Sequence, residues 1–454
     1  MKGNTIVIKL GTSSICDEKT HEPLIANLSL LVETCVKLRR SGHRVVIVSS
    51  GGIGMGLRRM DLARRPKKLA AVQAIAAVGQ CRLIALWDEL FKQLRQPVAQ
   101  ILLTKNDIAD RTQYLNAANT LGELLAMGVI PIVNENDTIS VSEIKFGDND
   151  TLSAITAGMV NADYLFLMTD VECLYTANPR THPDAEPIEV VVDIAELKER
   201  ADVSEAGSGV GTGGMRTKLI AAELATSAGC TTVIAHSSVP TNIFRIVEYI
   251  NSINATSSST TPTRQNSVDG LTSSLNDIST TVPLSDIPRH TRFLPPPPSH
   301  RVRDRQFWLL NGLTAHGRIY IDDGAARALT RTEKAGLLPA GVRGVEGGFQ
   351  RMECVDVVAQ WRVREVGGEG VVASGVKTVS VGERVHEIQE EVIGRALVNY
   401  SAHEIDKIKG ISLKKSEGGI EAILGYADAE YVAFRDNLAI LPVVRERRAE
   451  GRGN

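Results

Sequence analysis

Short, continuous apolar runs alternate along the first half of the chain with longer stretches whose apolar residues recur three and four positions apart. The runs at 5–10, 44–48, 98–103, 129–133, 164–168 and 231–235 are rich in β-branched residues and end in small or polar ones, so they predict strands. Residues 28–38 and 70–94 carry helical spacing. Strands that are apolar on both faces imply an α/β fold, a mainly parallel sheet sandwiched by helices. Ligands of such sheets collect beyond the carboxyl ends of the strands, so residues that follow each run are where chemistry is expected.

The pattern breaks at residue 251. The next 50 positions hold 10 Ser, 8 Thr and 7 Pro and end in Pro295 to Pro298. So little apolar surface cannot offset the entropy of ordering, and 251–304 reads as a flexible linker with a stiff proline end. Beyond it, 305–445 is punctuated by glycine, with short strands expected at 318–321, 431–434 and 439–443 and a helical patch at 325–329. This reads as a small β-rich domain, in which 360–395, containing Gly367-Gly368-Glu369-Gly370, is an irregular insertion. A length of 454 residues would give about three domains by size alone. The patterning gives two, at 1–250 and 305–445, and a spacer.

Composition narrows the function. Hydrophobic residues at 43 % suffice for buried cores and exclude a wholly disordered chain, and 51 Lys+Arg against 53 Asp+Glu show no basic excess for RNA or an anionic membrane. Aromatic residues at 4 % suit aliphatic α/β layers better than an all-β propeller. The six cysteines stand singly with no CxxC pair, which argues against a zinc site or a disulfide framework and for reduced thiols. The first apolar run is broken at Lys9, unlike a secretory signal, and no membrane span of about 20 apolar residues is read. A cytoplasmic protein is expected.

Polar clusters lie at or near predicted strand ends or open the helices that follow them. Lys9-Leu10-Gly11-Thr12-Ser13 closes the first run with an ammonium that needs an anion or solvent. Ser49-Ser50-Gly51-Gly52 offers hydroxyls and close backbone approach where a helix can begin. Asn134-Glu135-Asn136-Asp137 follows the fourth run, and Gly147-Asp148-Asn149-Asp150 opens a helical stretch at 151–160; this density suits an amino-acid ammonium or a phosphate-held metal. Thr169-Asp170 follows the fifth run. The loop Gly209 to Lys218 precedes a helix at 219–227 and formally contains GxGxxG. No strand leads into it, so it is not a dinucleotide fingerprint, and Leu219 after Lys218 excludes a Walker A loop. Lysines, glycine loops and carboxylates at strand ends describe phosphoryl transfer, where catalysis is positioning and electrostatics.

The motif set Val7 to Ser13, Val48 to Gly52, Asn134 to Asp137, Lys145 to Asp150 and Gly211 to Lys218 closely resembles the glutamate 5-kinases within the amino-acid kinase family. The likeness runs in order through almost all of residues 1–250; one departure is Gly52, where bacterial relatives often carry alanine. It implies ATP-dependent phosphorylation of the L-glutamate side-chain carboxylate, the first step of proline biosynthesis. By motif match, Lys9 and Lys218 would hold the ATP phosphates and the transferring group, and Asp150 would organise the lysines or the metal. Ser50, Asp137 and Asn149 would contact glutamate. Thr169, Asp170, Gly211, Thr212, Gly213, Gly214, Met215, Arg216, Thr217 and Lys218 would form the nucleotide side, with Mg2+ neutralising the phosphates and no residue assigned to the metal. The resemblance also implies feedback inhibition by proline, a homo-oligomer, and a separate γ-glutamyl phosphate reductase downstream. Asp323-Gly324-Ala325, Leu337 to Val342, Gly347 to Arg351 and Ile423 to Tyr426 resemble a PUA domain, for which RNA binding is not expected at this charge. The alternatives are an N-acetylglutamate, aspartate or carbamate kinase, and an RNA-binding role of the C-terminal domain.

Overall fold

The computed structural model describes residues 3–140, 149–177, 182, 184–194, 196, 197, 214–257, 287–297, 301, 302, 304–331, 335–362, 376–381, 384–411, 419–426 and 429–441. It divides into two compact units, Met1–Ser299 and His300–Asn454.

In the first unit the strands β1 (Thr5–Leu10), β2 (Arg44–Ser49), β3 (Val98–Leu103), β4 (Ile130–Glu135) and β5 (Tyr164–Thr169) form where continuous apolar runs predict them. Three two-residue strands follow, β6 (Leu174–Tyr175), β7 (Pro187–Ile188) and β8 (Val190–Val191), and then β9 (Thr231–His236) and β10 (Thr291–Phe293). The main sheet runs in the order β3-β4-β2-β1-β5-β9-β10-β8, parallel except where β10 meets β9. The helices are α1 (Thr12–Ile15), α2 (Ile25–Arg40), α3 (Gly52–Arg59), α4 (Leu69–Lys92), α5 (Lys105–Ala109), α6 (Arg111–Ala126), α7 (Asn149–Met159), α8 (Met215–Ser227) and α9 (Asn242–Ser257). Ile6, Ile8 and Leu10 of β1 pack with residues of α2, α4 and α9 in one core cluster. Since side chains alternate across a strand, Val7 and Lys9 face the other side.

Two pieces of the span expected as a linker, 251–304, are regular structure: α9 runs on to Ser257, and β10 joins the sheet. Composition hides β10 because only Thr291 and Phe293 are buried. The Thr291 hydroxyl secures the strand, accepting from Leu174 N at 2.7 Å and donating to Ile188 O at 2.6 Å.

Helix α4 is long and apolar enough to cross a membrane by length and composition, a stretch the sequence reading passed over. Its Leu83, Trp87 and Phe91 are buried in the core cluster, which accounts for part of that apolarity. It packs against α3 backbone to backbone. A Cβ on Gly79 would stand 1.7 Å from Gly52 O, and one on Gly56 would stand 2.1 Å from Ile75 O. Gly79→Ala is therefore expected to destabilise the protein by about 1–3 kcal/mol through overpacking, read as a lower urea midpoint at unchanged slope.

The second unit holds α10 (Asp304–Asn311), β11 (Gly317–Ile321), α11 (Asp323–Arg331), β12 (Val342–Gly347), β13 (Cys354–Arg362), β14 (Val376–Val381), β15 (Arg384–Leu397), α12 (Ala402–Ile408), α13 (Glu421–Leu424) and β16 (Leu438–Ile440). Its sheet runs β12-β11-β13-β15-β14, with β16 on β15. The span 360–395, expected to be irregular, instead contains β14 and most of the long β15, paired antiparallel from Val376↔Gln389 to Val381↔Arg384. The β-branched residues of Val376-Lys377-Thr378-Val379-Ser380-Val381 suit a strand; the glycines that obscured it, Gly367, Gly368 and Gly370, lie outside the described residues. The strand expected at 431–434 reduces to a single bridge, Leu337↔Ala433. All six cysteines are free thiols.

Candidate active site

Parallel register brings the ends of five strands level. Lys9 lies opposite Val48 of β2 and Leu167 of β5, Leu10 opposite Ser49 and Met168, and Asn134 of β4 opposite Leu102 of β3. Polar residues at and after these ends therefore meet, although the sequence separates Ser50 from Asn149 by 99 positions and Lys9 from Asp150 by 141.

Lys9 is only 5 % exposed, so its ammonium must be paired. The partner is Asp150, fully buried in the first turn of α7, with Lys9 Nζ 2.5 Å from Oδ1. The positive end of the α7 dipole also favours a carboxylate at that position. Lys218, in the first turn of α8, places its Nζ 3.5 Å from Oδ2 of the same carboxylate. The Thr217 hydroxyl donates to Oδ2 at 2.7 Å and lies 2.8 Å from Gly214 O. Two ammonium groups thus share one carboxylate, and Lys9, Lys218 and Asp150 together carry net positive charge. Gly11 keeps the space beside Lys9 open; a Cβ there would stand 3.7 Å from Nζ.

Burial pushes the Asp150 carboxyl up, but the Lys9 and Lys218 charges and the donated hydrogen bonds outweigh it, leaving the group below its ordinary value of 3.8. The unfolded chain takes up this proton first as pH falls. The stability contributed by Asp150 is then fully present above the ordinary value, declines below it, and is lost once pH falls through the lower native value. The urea-midpoint gap between wild type and Asp150→Asn is expected to hold constant above about pH 5 and to narrow below about pH 4.

Beside this charged cluster lies a network of carboxamides and hydroxyls. Asn149 Nδ2 donates to Ser50 Oγ at 2.7 Å and to Asn134 Oδ1 at 3.0 Å, and Asn134 Nδ2 donates to Gln80 Oε1 at 2.9 Å. Ser50 follows β2, and Gly51 after it makes the turn into α3 at φ +100°, which favours glycine. The N-cap of α3 is Gly51, which has no side chain with which to cap the first-turn amides. Trp87 Nε1 donates to Ser49 Oγ at 3.2 Å, tying α4 to the end of β2.

Of the residues singled out in the sequence, the structure brings Lys9, Ser50, Asn149, Asp150, Thr217 and Lys218 into these two adjoining clusters. Asp137 lies half-buried in the turn after β4. Thr169 is buried at the end of β5, its hydroxyl 3.1 Å from a carboxylate oxygen of Asp170. Gly214 precedes α8, and Met215 and the exposed Arg216 begin it. Gly211, Thr212 and Gly213 lie outside the described residues. Among the described residues no group of three or more His, Cys, Asp or Glu converges on a metal position. Sequence reasoning missed Gln80; its signal is a glutamine directly after a glycine, Gly79-Gln80, in a largely apolar helix, seven residues before Trp87.

Comparison with known proteins gives the same picture. Residues 4–236 match the model of the amino acid kinase family, and residues 317–419 that of the PUA domain. The chain is 56 % identical over 439 residues to a probable glutamate 5-kinase of Schizosaccharomyces pombe, covering 97 % of this chain and 94 % of that protein. It is 47 % identical over 443 residues to an uncharacterized protein of Saccharomyces cerevisiae, with coverage of 97 % and 99 %. It is 42 % identical over 438 residues to a glutamate 5-kinase of Acaryochloris marina, with coverage of 96 % and 99 %. With three relatives aligned over nearly their whole lengths and a family model running from β1 to β9, this chain belongs to the amino acid kinase family and carries a C-terminal PUA domain.

Proposed function

We propose that the chain transfers the γ-phosphoryl group of ATP to the γ-carboxylate of L-glutamate, giving γ-glutamyl phosphate and ADP. The observation that carries this reading is the buried Lys9–Asp150–Lys218 cluster directly beside the Ser50–Asn149–Asn134 network, in a chain aligned almost end to end with relatives named glutamate 5-kinases. A glutamate carboxylate oxygen attacks the γ-phosphorus, the bond to the bridging oxygen breaks, and ADP leaves. Charge on the phosphoryl oxygens is met by Lys9 and Lys218, which Asp150 holds in place. Ser50, Asn149 and Asp137 hold glutamate, and Thr169, Asp170 and the stretch Gly211 to Lys218 form the nucleotide side. Mg2+ suits this site as an ion carried on the phosphates: the buried carboxylate is committed to two ammonium groups, and Mg2+ commonly takes substrate phosphates among its ligands. When bound it neutralises phosphate charge.

This reading extends to a cytoplasmic homo-oligomer inhibited by proline, whose labile acyl phosphate passes to a separate reductase. The deciding assay measures ADP release with glutamate, aspartate and N-acetylglutamate and traps the acyl phosphate with hydroxylamine. Glutamate-dependent hydroxamate, diminished by added proline, is the expected result. Hydroxamate formed only with another acceptor would move the chain to a different amino-acid kinase specificity.

A further inference from the structure

The hydrogen-bond directions in the carboxamide network are set by one group that can only donate. Glu135 N–H points at Asn134 Oδ1 at 2.9 Å, so the oxygen of that amide must face it. Nδ2 then faces α4, where Gln80 Oε1 accepts at 2.9 Å. On its other side Asn134 Oδ1 accepts from Asn149 Nδ2 at 3.0 Å, and that nitrogen also donates to Ser50 Oγ at 2.7 Å. Both hydrogens of Asn149 Nδ2 are used, while Asn149 Oδ1 is buried with no hydrogen-bond donor among the described residues.

We infer that Gln80 is a positioning residue that locks the amides of Asn134 and Asn149 so that Asn149 offers glutamate an oxygen, the polarity that receives an ammonium hydrogen and repels a carboxylate. Gln80 reaches the network because glycines bring α3 and α4 together: Gly79, its neighbour, lies against Gly52, and a Cβ on Gly52 would stand 3.3 Å from Gln80 Oε1. Without an acceptor at position 80, Asn134 Nδ2 loses its partner, and a flipped Asn134 would set its nitrogen against Glu135 N–H. Either state loosens Asn149 and leaves the lysine cluster in place. Gln80 acts through Asn134 and needs no contact with substrate.

The inference rests on the glutamate kinase reading, and kinetics on the full chain separate the two. Wild type that forms no glutamate hydroxamate overturns the functional reading. With active wild type, Gln80→Met, close in shape but lacking the acceptor, is expected to raise the glutamate KM about tenfold or more, with the ATP KM within about twofold. Gln80→Glu, which keeps an acceptor, is expected to stay within about threefold of wild type in glutamate KM. A double-mutant cycle with Asn134→Ala is expected to be strongly non-additive, since Gln80 acts through Asn134. An unchanged glutamate KM in a folded Gln80→Met enzyme overturns the inference, as do equal rises in both KM values or an additive cycle. If Gln80→Met does not fold, Gln80→Glu decides: a near wild-type glutamate KM supports the inference, and a tenfold rise in a folded enzyme overturns it.

Discussion

Asp150→Asn is expected to lower kcat by about 10³-fold and stability by about 3–5 kcal/mol. The substitution keeps the shape of the side chain and an oxygen for the Thr217 hydroxyl, but it removes the charge that both lysines share. Lys9 and Lys218 are 5 % and 7 % exposed, and with Asp150 neutral their ammonium groups lose the described carboxylate that pairs them. Removing one partner of a buried pair costs more than the pair contributes, because the remaining charge is uncompensated. The catalytic loss has a separate cause. On the proposed reading, lysines released from their anchor would no longer stand where charge develops on the transferring phosphoryl group, and a misplacement of about 1 Å is enough to cost 10²-fold. Nucleotide phosphates can replace the missing anion, so saturating ATP analogue is expected to restore more stability to the variant than it adds to wild type. Urea melts with and without nucleotide, together with steady-state ADP release, check both halves. A variant within tenfold of wild-type kcat would show that Asp150 does not set the lysines.

Those features of the fold that depend on local sequence were legible, and those that depend on register across the sheet were not. The run at 5–10 is apolar or β-branched but for Lys9 and is followed by Gly11, so β1 could be bounded to the residue. The same run shows a lysine entering an apolar strand, which flags Lys9 before any contact is known. That Lys9 meets Asp150, 141 positions later, follows from parallel pairing of β1 with β2 and β5 and from the seating of α7 on that face, neither of which periodicity encodes. Gln80 was hidden for the same reason. Its partner Asn134 lies on β4, and the close approach that joins them depends on Gly52 and Gly79 lying in register between two helices. In the second unit, β14 was obscured by its glycine-rich flank, and β10 in the first by a Ser/Thr/Pro composition that ordinarily signals loop. In both cases a few residues placed on a sheet outweigh the bias of the segment around them.

Lys218→Ala is expected to separate catalysis from stability where Asp150→Asn couples them, lowering kcat by about 10²–10³-fold at little cost to folding. The geometry around the carboxylate gives the reason. Lys9 holds Oδ1 at 2.5 Å and the Thr217 hydroxyl holds Oδ2 at 2.7 Å, while Lys218 lies 3.5 Å from Oδ2, the longest of the three. Without Lys218 the Asp150 carboxylate keeps its nearest charge and its nearest donor, so no buried ion is stranded. The alanine also suits the first turn of α8, where helix propensity favours it. What disappears is the ammonium carried by α8, so on the proposed reading the transferring phosphoryl group would be stabilised by Lys9 alone. Lys9→Ala reverses the balance: it removes the 2.5 Å partner of a fully buried carboxylate and is expected to destabilise the protein more than Lys218→Ala does. Urea midpoints of the two variants, set beside their kcat values, test this asymmetry. Equal losses of stability would mean that the two lysines share Asp150 evenly, and near wild-type turnover by Lys218→Ala would remove Lys218 from the catalytic machinery.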